Sequence, residues 1–332
     1  MKMYYKQIVF VILMVWGLIL CPYAFSAEPL NIYSVSGDLE HQLFTPFFKQ
    51  EGGLDVQFLK FQTGTLRTRV LAEATTGKIQ ADICMPTHEV SLEFKEKGFF
   101  LPYKSKAWDN IKVPDILRDP DGYWYGWAYW MAVIIVNKEI LNKKGLTAPK
   151  SWNDLIQPKW KGEIVMPNPG TSGTAYMMVS TVIQIMGEQK AWDYLEKLDK
   201  NVAQYTKSGA APADLVARGE YAIGITWDLP PFEKKEAGYP VELIAPEEGT
   251  GFQLDTVSIF KGTKKVEAAK KFIDLIATKK FMELAGQRRS KVTMPGVKSR
   301  VIFEPKLIKY DAVRAAENKD RIMNTWKEKF AK

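Results

Sequence analysis

The sequence predicts an α/β protein whose two lobes close on a cleft between them. Strand-like and helix-like segments alternate along most of the chain, and this alternation favours parallel sheets with helical crossovers. Two such α/β units follow one another, and a later strand pattern at Asp255–Phe260 is expected to return to the first unit. More than one strand would then cross between the lobes, which is the arrangement of a hinged cleft.

The N-terminal segment is expected to be a secretory signal peptide. Two lysines precede the apolar run Ile8–Leu20, which is short for a membrane span. Small residues follow, and cleavage is predicted after Ser26 or Ala27. The alternatives are a retained N-terminal anchor and a lipoprotein modified at Cys21, but the leucine before Cys21 is larger than the residue expected there. We therefore predict a soluble protein exported to the periplasm.

The mature chain has the size and composition of a two-lobed globular protein. Removing residues 1–27 leaves 305 residues and lowers the formal net charge from +8 to +6, because two lysines are lost. We assign residues 28–133 and 251–298 to lobe 1, and residues 134–250 and 299–332 to lobe 2. The basic residues are dispersed, so nucleic acid is not expected as a partner, and a monomer is the default.

Cysteine and histidine are too scarce for the usual stabilising bonds or metal sites. Cys84 is the only cysteine after the predicted cleavage point, so no intramolecular disulfide can form, and a buried position is expected for it. His41 and His88 do not form a spaced ligand cluster. No metal site, cofactor or catalytic residue is predicted.

Lobe 1 is expected to begin with three strand–loop–helix units. The predicted elements are a strand at Leu30–Val35, a helix at Leu39–Lys49, a strand at Val56–Phe61, a helix opened by Thr63–Thr65 and running to Ala74, and a strand at Ala81–Met85. Ligands gather at the carboxyl ends of the strands in such sheets. Ser36, Thr65 and Thr87 fall at this edge and are candidate ligand residues, although each alone could be a cap or turn residue.

Lobe 2 has a second series of alternating elements. The aromatic segment Tyr123–Trp130, at the end of the first part of lobe 1, leads into Val133–Asn137, and both are expected to form buried strands. The later predictions are a short helix and turn at Ser151–Trp160, strands at Gly162–Met166, Tyr221–Thr226 and Val241–Ala245, and helices at Ala175–Met186, Gln189–Lys200 and Pro212–Arg218. The pattern then resumes with a strand at Thr256–Phe260 and a helix at Val266–Lys279.

The segment Met166–Tyr176 carries the clearest chemical signal in the chain. It has the pattern of a strand end, a loop rich in proline and glycine, and the first turn of an apolar helix. Thr171, Ser172 and Thr174 offer hydroxyls where the helix begins, and Gly173 leaves room for a ligand. Free backbone N–H groups at a helix start bind anions. Ordinary N-capping by one of these hydroxyls is the alternative.

Eight motifs follow one another over nearly the whole mature chain. They are Leu30–Ser34 with Phe44 and Phe47–Phe48, Ala81–Ile83, Tyr125–Trp127 near Val136–Lys138, Pro149–Leu155, Lys159–Gly162, Pro169–Thr174, Gly219–Gly224, and Ala268–Ile273. In this order they resemble the exported substrate-binding proteins of bacterial ABC importers (extracellular solute-binding protein family 1), in the branch that includes ferric-ion, phosphonate and hexose-phosphate binders. The resemblance implies the type II periplasmic-binding-protein fold, with a hinge and an interlobe cleft.

The resemblance also distinguishes a ferric-ion site from an anion site. Ferric-ion binders of this kind have two adjacent tyrosines after the strand that corresponds to Ala222–Thr226, whereas this chain has Trp227–Pro231. The usual phenolate iron site is therefore not expected. The family's anion loop matches at Thr171–Thr174, and Ser208 lies in a loop that tends to face the anion in the family.

The residues favour a ligand with a phosphate or phosphonate head and a hydroxylated body. The head would lie on the loop, with Ser36, Thr65 and Ser208 completing its oxygen shell. Asp228 would accept hydrogen bonds from ligand hydroxyls, unless it only caps a turn, and Trp227 would cover a sugar face, unless it belongs to the core. Arg288 and Arg289 are a further candidate pair from lobe 1, with a solvated surface position as the alternative.

Three functions remain open from the sequence. The first is a receptor for an organophosphate, such as a hexose phosphate or a phosphonate, that docks on an ABC permease or on the periplasmic domain of a sensor kinase. The second is a receptor for ferric iron held with an anion, or for a polyamine, to which Asp228, Asp255 and the tryptophans are suited. The third is an exported hydrolase, but no nucleophile elbow or metal-protease motif occurs in the sequence.

Overall fold

A computed structural model describes residues 28–112, 117–303 and 305–330, so the predicted signal peptide lies outside the described residues. The strands are β1 (Leu30–Ser34), β2 (Val56–Lys60), β3 (Ile83–Met85), β4 (Phe100–Leu101), β5 (Tyr125–Asn137), β6 (Ile164–Pro167), β7 (Val202–Thr206), β8 (Ile223–Trp227), β9 (Val241–Ile244), β10 (Phe252–Phe260) and β11 (Lys291–Val292).

The α-helices pack between and around these strands. They are α1 (Asp38–Gly52), α2 (Thr63–Thr75), α3 (His88–Glu96), α4 (Lys106–Asp109), α5 (Lys138–Lys143), α6 (Gly173–Met186), α7 (Glu188–Asp199), α8 (Ala211–Ala217), α9 (Leu229–Glu236), α10 (Val266–Ile276), α11 (Lys279–Gly286), α12 (Ala312–Glu317) and α13 (Lys319–Phe330). Among the described residues, no helix is both long enough and apolar enough to cross a bilayer.

The sheet confirms the α/β prediction and shows where the two lobes join. Its strand order is β2-β1-β3-β10-β5-β8-β6-β7. β1 pairs in parallel with β2 and β3 in lobe 1, and β6 pairs in parallel with β7 and β8 in lobe 2. β5 and β10 lie between these parallel groups and pair with each other in the antiparallel sense. The parallel groups are therefore joined through two central strands.

β5 is one continuous strand of 13 residues rather than two separate strands. Its first half pairs with β10 and β11, and its second half pairs with β8 and β9. The far end of β10 pairs with β3 at Ser258 and Ile259, so this strand does return to lobe 1. Nearly every β5 side chain is buried because both faces of the strand are covered.

Two large apolar clusters lie on either side of the central strands. One includes Phe44, Phe48 and Trp127, and the other includes Trp160 and Tyr176. The second cluster also takes in the C-terminal side chains Ile322, Trp326 and Phe330 from α13, a helix that the sequence pattern did not predict. The lobe boundaries stay a prediction.

Local differences from the predicted elements are small. The segment Ser151–Trp160 contains two short 3-10 helices instead of an α-helix. Helix α6 begins at Gly173, two residues before the predicted start, so the hydroxyl of Thr174 lies in its first turn. Cys84 is a free, buried thiol, as expected.

Candidate functional site

A cavity of about 440 Å³ lies between the lobes at the centre of the fold. Its wall includes Ser172, Gly173, Thr174, Ser208 and Trp227 from lobe 2, and Thr87, Trp130, Asp255, Arg288 and Arg289 from the lobe 1 side. A larger, mostly apolar cavity of about 730 Å³ lies beside β11 and contains none of the predicted ligand residues. The interlobe cavity is therefore the candidate site, and its volume is in the range of small-molecule sites.

The start of helix α6 forms one end of this cavity. Ser172 occupies the N-cap position, but its hydroxyl makes no capping hydrogen bond to the helix. A Cβ added to Gly209 would lie only 2.4 Å from Oγ1 of Thr174 and 2.9 Å from Oγ of Ser172, so the neighbouring loop packs directly on these hydroxyls. The hydroxyls and the positive end of the helix dipole together suit an anion, and the capping alternative for Ser172 is not what the structure shows.

The opposite side of the cavity carries buried charge. The Asp255 carboxylate accepts a hydrogen bond from Nε1 of Trp130 at 3.1 Å, and its Oδ2 lies 3.4 Å from Nη1 of Arg289. Burial raises the pKa of Asp255, while the neighbouring Arg289 guanidinium opposes this rise. Thr87 pairs with Asp255 through a backbone bridge, and its buried hydroxyl has no hydrogen-bond partner among the described residues.

The structure brings most of the predicted site residues together. Thr87, Ser172, Gly173, Thr174, Ser208, Trp227 and Asp255 all line the cavity. Ser36 is buried directly behind the wall, where its hydroxyl accepts a hydrogen bond of 2.6 Å from Nη2 of Arg289. Both arginines that had a surface alternative line the cavity, and Arg289 is only 5% exposed.

Besides Ser36, three predicted residues are absent from the cavity lining. Thr65 is exposed on α2, although its neighbour Thr63 lines the cavity. The Thr171 hydroxyl donates to the backbone oxygen of Lys207 at 3.0 Å. Asp228 is fully buried and accepts a hydrogen bond of 2.5 Å from the Ser290 hydroxyl. None of these three side chains lines the cavity, and Oδ2 of Asp228 has no hydrogen-bond partner among the described residues.

Comparison with known proteins agrees with this architecture. Residues 80–311 match the family model described as bacterial extracellular solute-binding protein. The chain is also 34% identical over 313 residues to an uncharacterized protein of Haemophilus influenzae, which covers 90% of this chain and 89% of the relative. The chain belongs to the bacterial extracellular solute-binding protein family. It is a solute-binding protein, and a Sinorhizobium fredii relative that is 25% identical over 257 residues is named a probable ABC transporter periplasmic-binding protein.

Solved structures show the same two-lobed fold as this solute-binding protein. The periplasmic binding protein AfuA from Actinobacillus pleuropneumoniae, solved with exogenous fructose-6-phosphate bound, is 32% identical, with a TM-score of 0.84 and coverage of 91% of this chain and 98% of that chain. Iron-bound HitA from Pseudomonas aeruginosa is 19% identical, with a TM-score of 0.78 and coverage of 89% of this chain and 97% of that chain. The likeness to HitA concerns the fold alone.

The described residues of this solute-binding protein contain no group of three or more His, Cys, Asp or Glu side chains placed to hold a metal ion. Burial lowers the pKa of both His41 and His88 to about 4. His41 Nε2 lies 3.1 Å from Oγ of Ser34, and His88 packs against the Trp124 ring. Both histidines are thus parts of the core of lobe 1.

Direct contacts hold the lobes of the solute-binding protein together beside the cavity. The backbone N–H of Gly64 donates to the oxygen of Thr171 at 3.3 Å. A Cβ on Gly64 would lie 2.3 Å from the backbone oxygen of Gly170, well inside van der Waals contact. On another part of the wall, Arg288 Nη1 lies 2.9 Å from Glu233 Oε1. The structure therefore represents a closed arrangement of the cleft.

Asp228 leads to a pH-dependent stability prediction. Burial raises the pKa of this carboxyl to about 7. Between pH 4 and pH 7 the folded chain keeps a proton that the unfolded chain has lost, so the wild-type free energy of unfolding should fall as pH rises, by up to about 1.4 kcal/mol per pH unit. Asp228→Asn lacks this proton exchange. The free energy of unfolding of Asp228→Asn minus that of wild type should therefore rise from pH 4.5 to 7 and then level off.

Urea unfolding at several pH values measures this difference. Asp121→Asn supplies the control, because it makes the same chemical change at an exposed position. A stability difference between Asp228→Asn and wild type that stays constant from pH 4.5 to 8 would contradict the assignment.

Proposed function

We propose that this solute-binding protein captures a phosphorylated sugar or a related organophosphate between its lobes. The observation that carries the proposal is the chemical difference between the two ends of one cavity. The α6 end offers the hydroxyls of Ser172, Thr174 and Ser208 beside a helix start that no side chain caps. The other end offers a buried carboxylate oxygen of Asp255 and a buried hydroxyl of Thr87, neither with a hydrogen-bond partner among the described residues.

Each end fits one part of such a ligand. Neutral donors and a helix N-terminus stabilise a phosphate dianion when water is excluded. A carboxylate accepts hydrogen bonds from sugar hydroxyls, and burying unpaired polar groups without a ligand is unfavourable. Trp130 and Trp227 line the same space and provide flat apolar surfaces for a sugar ring. The fructose-6-phosphate bound to AfuA is a ligand of this class.

The protein would act in the periplasm after removal of a signal peptide near residue 26 or 27. It would deliver its ligand to an ABC permease or to a sensor kinase domain, and it would not convert the ligand chemically.

A polyamine is the second candidate ligand. Its support is the set of carboxylates that line the cavity: Asp38, Glu40, Asp214, Glu233 and Asp255. The cations Lys60, Lys234, Arg288 and Arg289 line the same wall and nearly balance this charge, so we place the polyamine second.

Thermal unfolding of the mature protein with a ligand panel tests the proposal. The panel is glucose 6-phosphate, 2-aminoethylphosphonate, inorganic phosphate, ferric citrate and spermidine. A ligand that binds only the folded state should add about 2.7 kcal/mol of stability at 100 times its Kd. We expect a large shift from a phosphorylated compound. A shift from spermidine or ferric citrate alone would overturn the proposal, and release of inorganic phosphate from the sugar phosphate would indicate an enzyme.

A further inference from the structure

Arg289 is enclosed at the lobe 1 end of the cavity and contacts groups from several elements. Its Nη2 donates to the Ser36 hydroxyl at 2.6 Å, and its Nη1 lies 3.4 Å from Asp255 and 3.8 Å from Glu40. Its guanidinium carbon lies 5.0 Å above the ring of Trp127. A side chain that is held on so many sides has little freedom to move toward a ligand.

Asp255 is the group that this enclosure affects most directly. One carboxylate oxygen is bound by Trp130, whereas Oδ2 is buried and has no hydrogen bond within the described structure. An ionised carboxylate only accepts hydrogen bonds, whereas a protonated one donates from one oxygen. Burial favours the neutral form and a nearby cation favours the ionised form. The Arg289 guanidinium thus faces the oxygen that is available to a ligand.

We infer that Arg289 is a positioning residue that holds Asp255 as a charged acceptor for ligand hydroxyls, without itself binding the anionic head. This inference rests on the proposed function and extends it. It assigns the anion to the α6 end and the hydroxylated body to the Asp255 end. Ligands that carry a phosphate but lack a hydroxylated body, such as inorganic phosphate, should then bind weakly.

The charged surroundings of Asp255 determine what removal of Arg289 would do. Glu40 on α1 and Glu89 on α3 both disfavour ionisation of Asp255, and Arg289 opposes them. Lys319 is paired with Glu89 at 3.5 Å and is committed to that contact. Without Arg289, Asp255 would be surrounded by carboxylates and would take up a proton more easily. Binding should then weaken as pH falls.

Isothermal titration with glucose 6-phosphate at pH 6.5, 7.5 and 8.5 tests this role. The affinity of each variant is divided by that of wild type at the same pH. This ratio removes the effect of phosphate ionisation on binding, which is the same for both proteins. For Arg289→Met we expect a loss that grows by up to tenfold for each unit of decreasing pH. Arg289→Lys, which keeps the charge, should bind more weakly than wild type but follow the wild-type pH profile. Asp255→Asn should lose affinity by the same factor at every pH.

The double variant Asp255→Asn/Arg289→Met removes both charges together and covers the case in which Arg289→Met does not fold. Compared with Asp255→Asn alone, it should lose less than threefold in affinity. A loss that is independent of pH and equally large with or without Asp255 would overturn the inference, because Arg289 would then contact the anion or act only on the fold. If wild type binds no phosphorylated compound, the proposed function fails instead.

Discussion

Ser172→Asp should lower the affinity for glucose 6-phosphate by about a thousandfold. The substitution places a carboxylate at the start of α6, where the structure provides an uncapped helix end beside the hydroxyl of Thr174. Like charges at close range in a binding site cost several kcal/mol, and about 4 kcal/mol corresponds to a thousandfold change in Kd. Titration calorimetry on the mature protein measures the change directly.

Two further variants separate this effect from a general disturbance. Ser172→Ala removes one hydrogen bond to a charged group, worth roughly 1.5–3 kcal/mol, so a loss of about 10- to 100-fold is expected. Gln189→Asp adds the same negative charge at the exposed start of α7 and should leave Kd within about twofold, because salt screens such a distant charge. Retention of tight binding by folded Ser172→Asp would exclude α6 as the anion end.

Gly64→Ala should weaken ligand binding by about 10- to 100-fold while leaving the fold intact. The new methyl group would meet the backbone oxygen of Gly170 across the lobe interface at 2.3 Å, so the lobes could not reach the present closed arrangement. The apparent affinity falls in proportion to the population of the closed state. Within α2 itself, alanine is the better helix former by about 1 kcal/mol. The melting temperature of the unliganded variant should therefore not decrease.

Small-angle scattering with and without ligand distinguishes failed closure from a damaged site. Wild type should become more compact on binding, and Gly64→Ala should change less. Thr75→Ala, at the exposed end of the same helix, raises helix propensity without touching the other lobe and should bind like wild type. Compaction of Gly64→Ala to the wild-type dimension would contradict the closure argument.

Much of the fold could be predicted because local patterns determine it. The alternation of strands and helices gave the two parallel groups, and the loop at Pro169–Thr174 gave the start of α6. The pattern could not show that Tyr125–Asn137 is one strand, because a continuous apolar run has no period that marks a boundary. Helix α13 carries polar residues between its few buried ones, so its pattern alone does not predict that it packs on the core.

The site was predicted less completely because burial depends on contacts between distant segments. Asp228 follows a strand in the manner of a ligand residue, yet it is fully buried and accepts a hydrogen bond from the Ser290 hydroxyl. Arg289 had no distinguishing neighbour in the sequence, and only the fold places it beside Asp255 and Ser36. The arginine follows a helix that returns to lobe 1. In the sequence, Arg289 is marked only as a basic residue just before the short strand β11.

The pairing of β10 with β5 is irregular beside the cavity. The register between these strands shifts between Asp255 and Thr256, so Trp127 is an extra residue on β5. Such a bulge is a local bend in the strand pair, and here it lies next to a wall residue of the cavity. We expect the cleft to open by bending at this irregular point, because a bulge already interrupts the regular pairing there. Such a movement would carry Asp255 with it, so the ligand proposed above would lose this hydrogen-bond acceptor as the lobes separate.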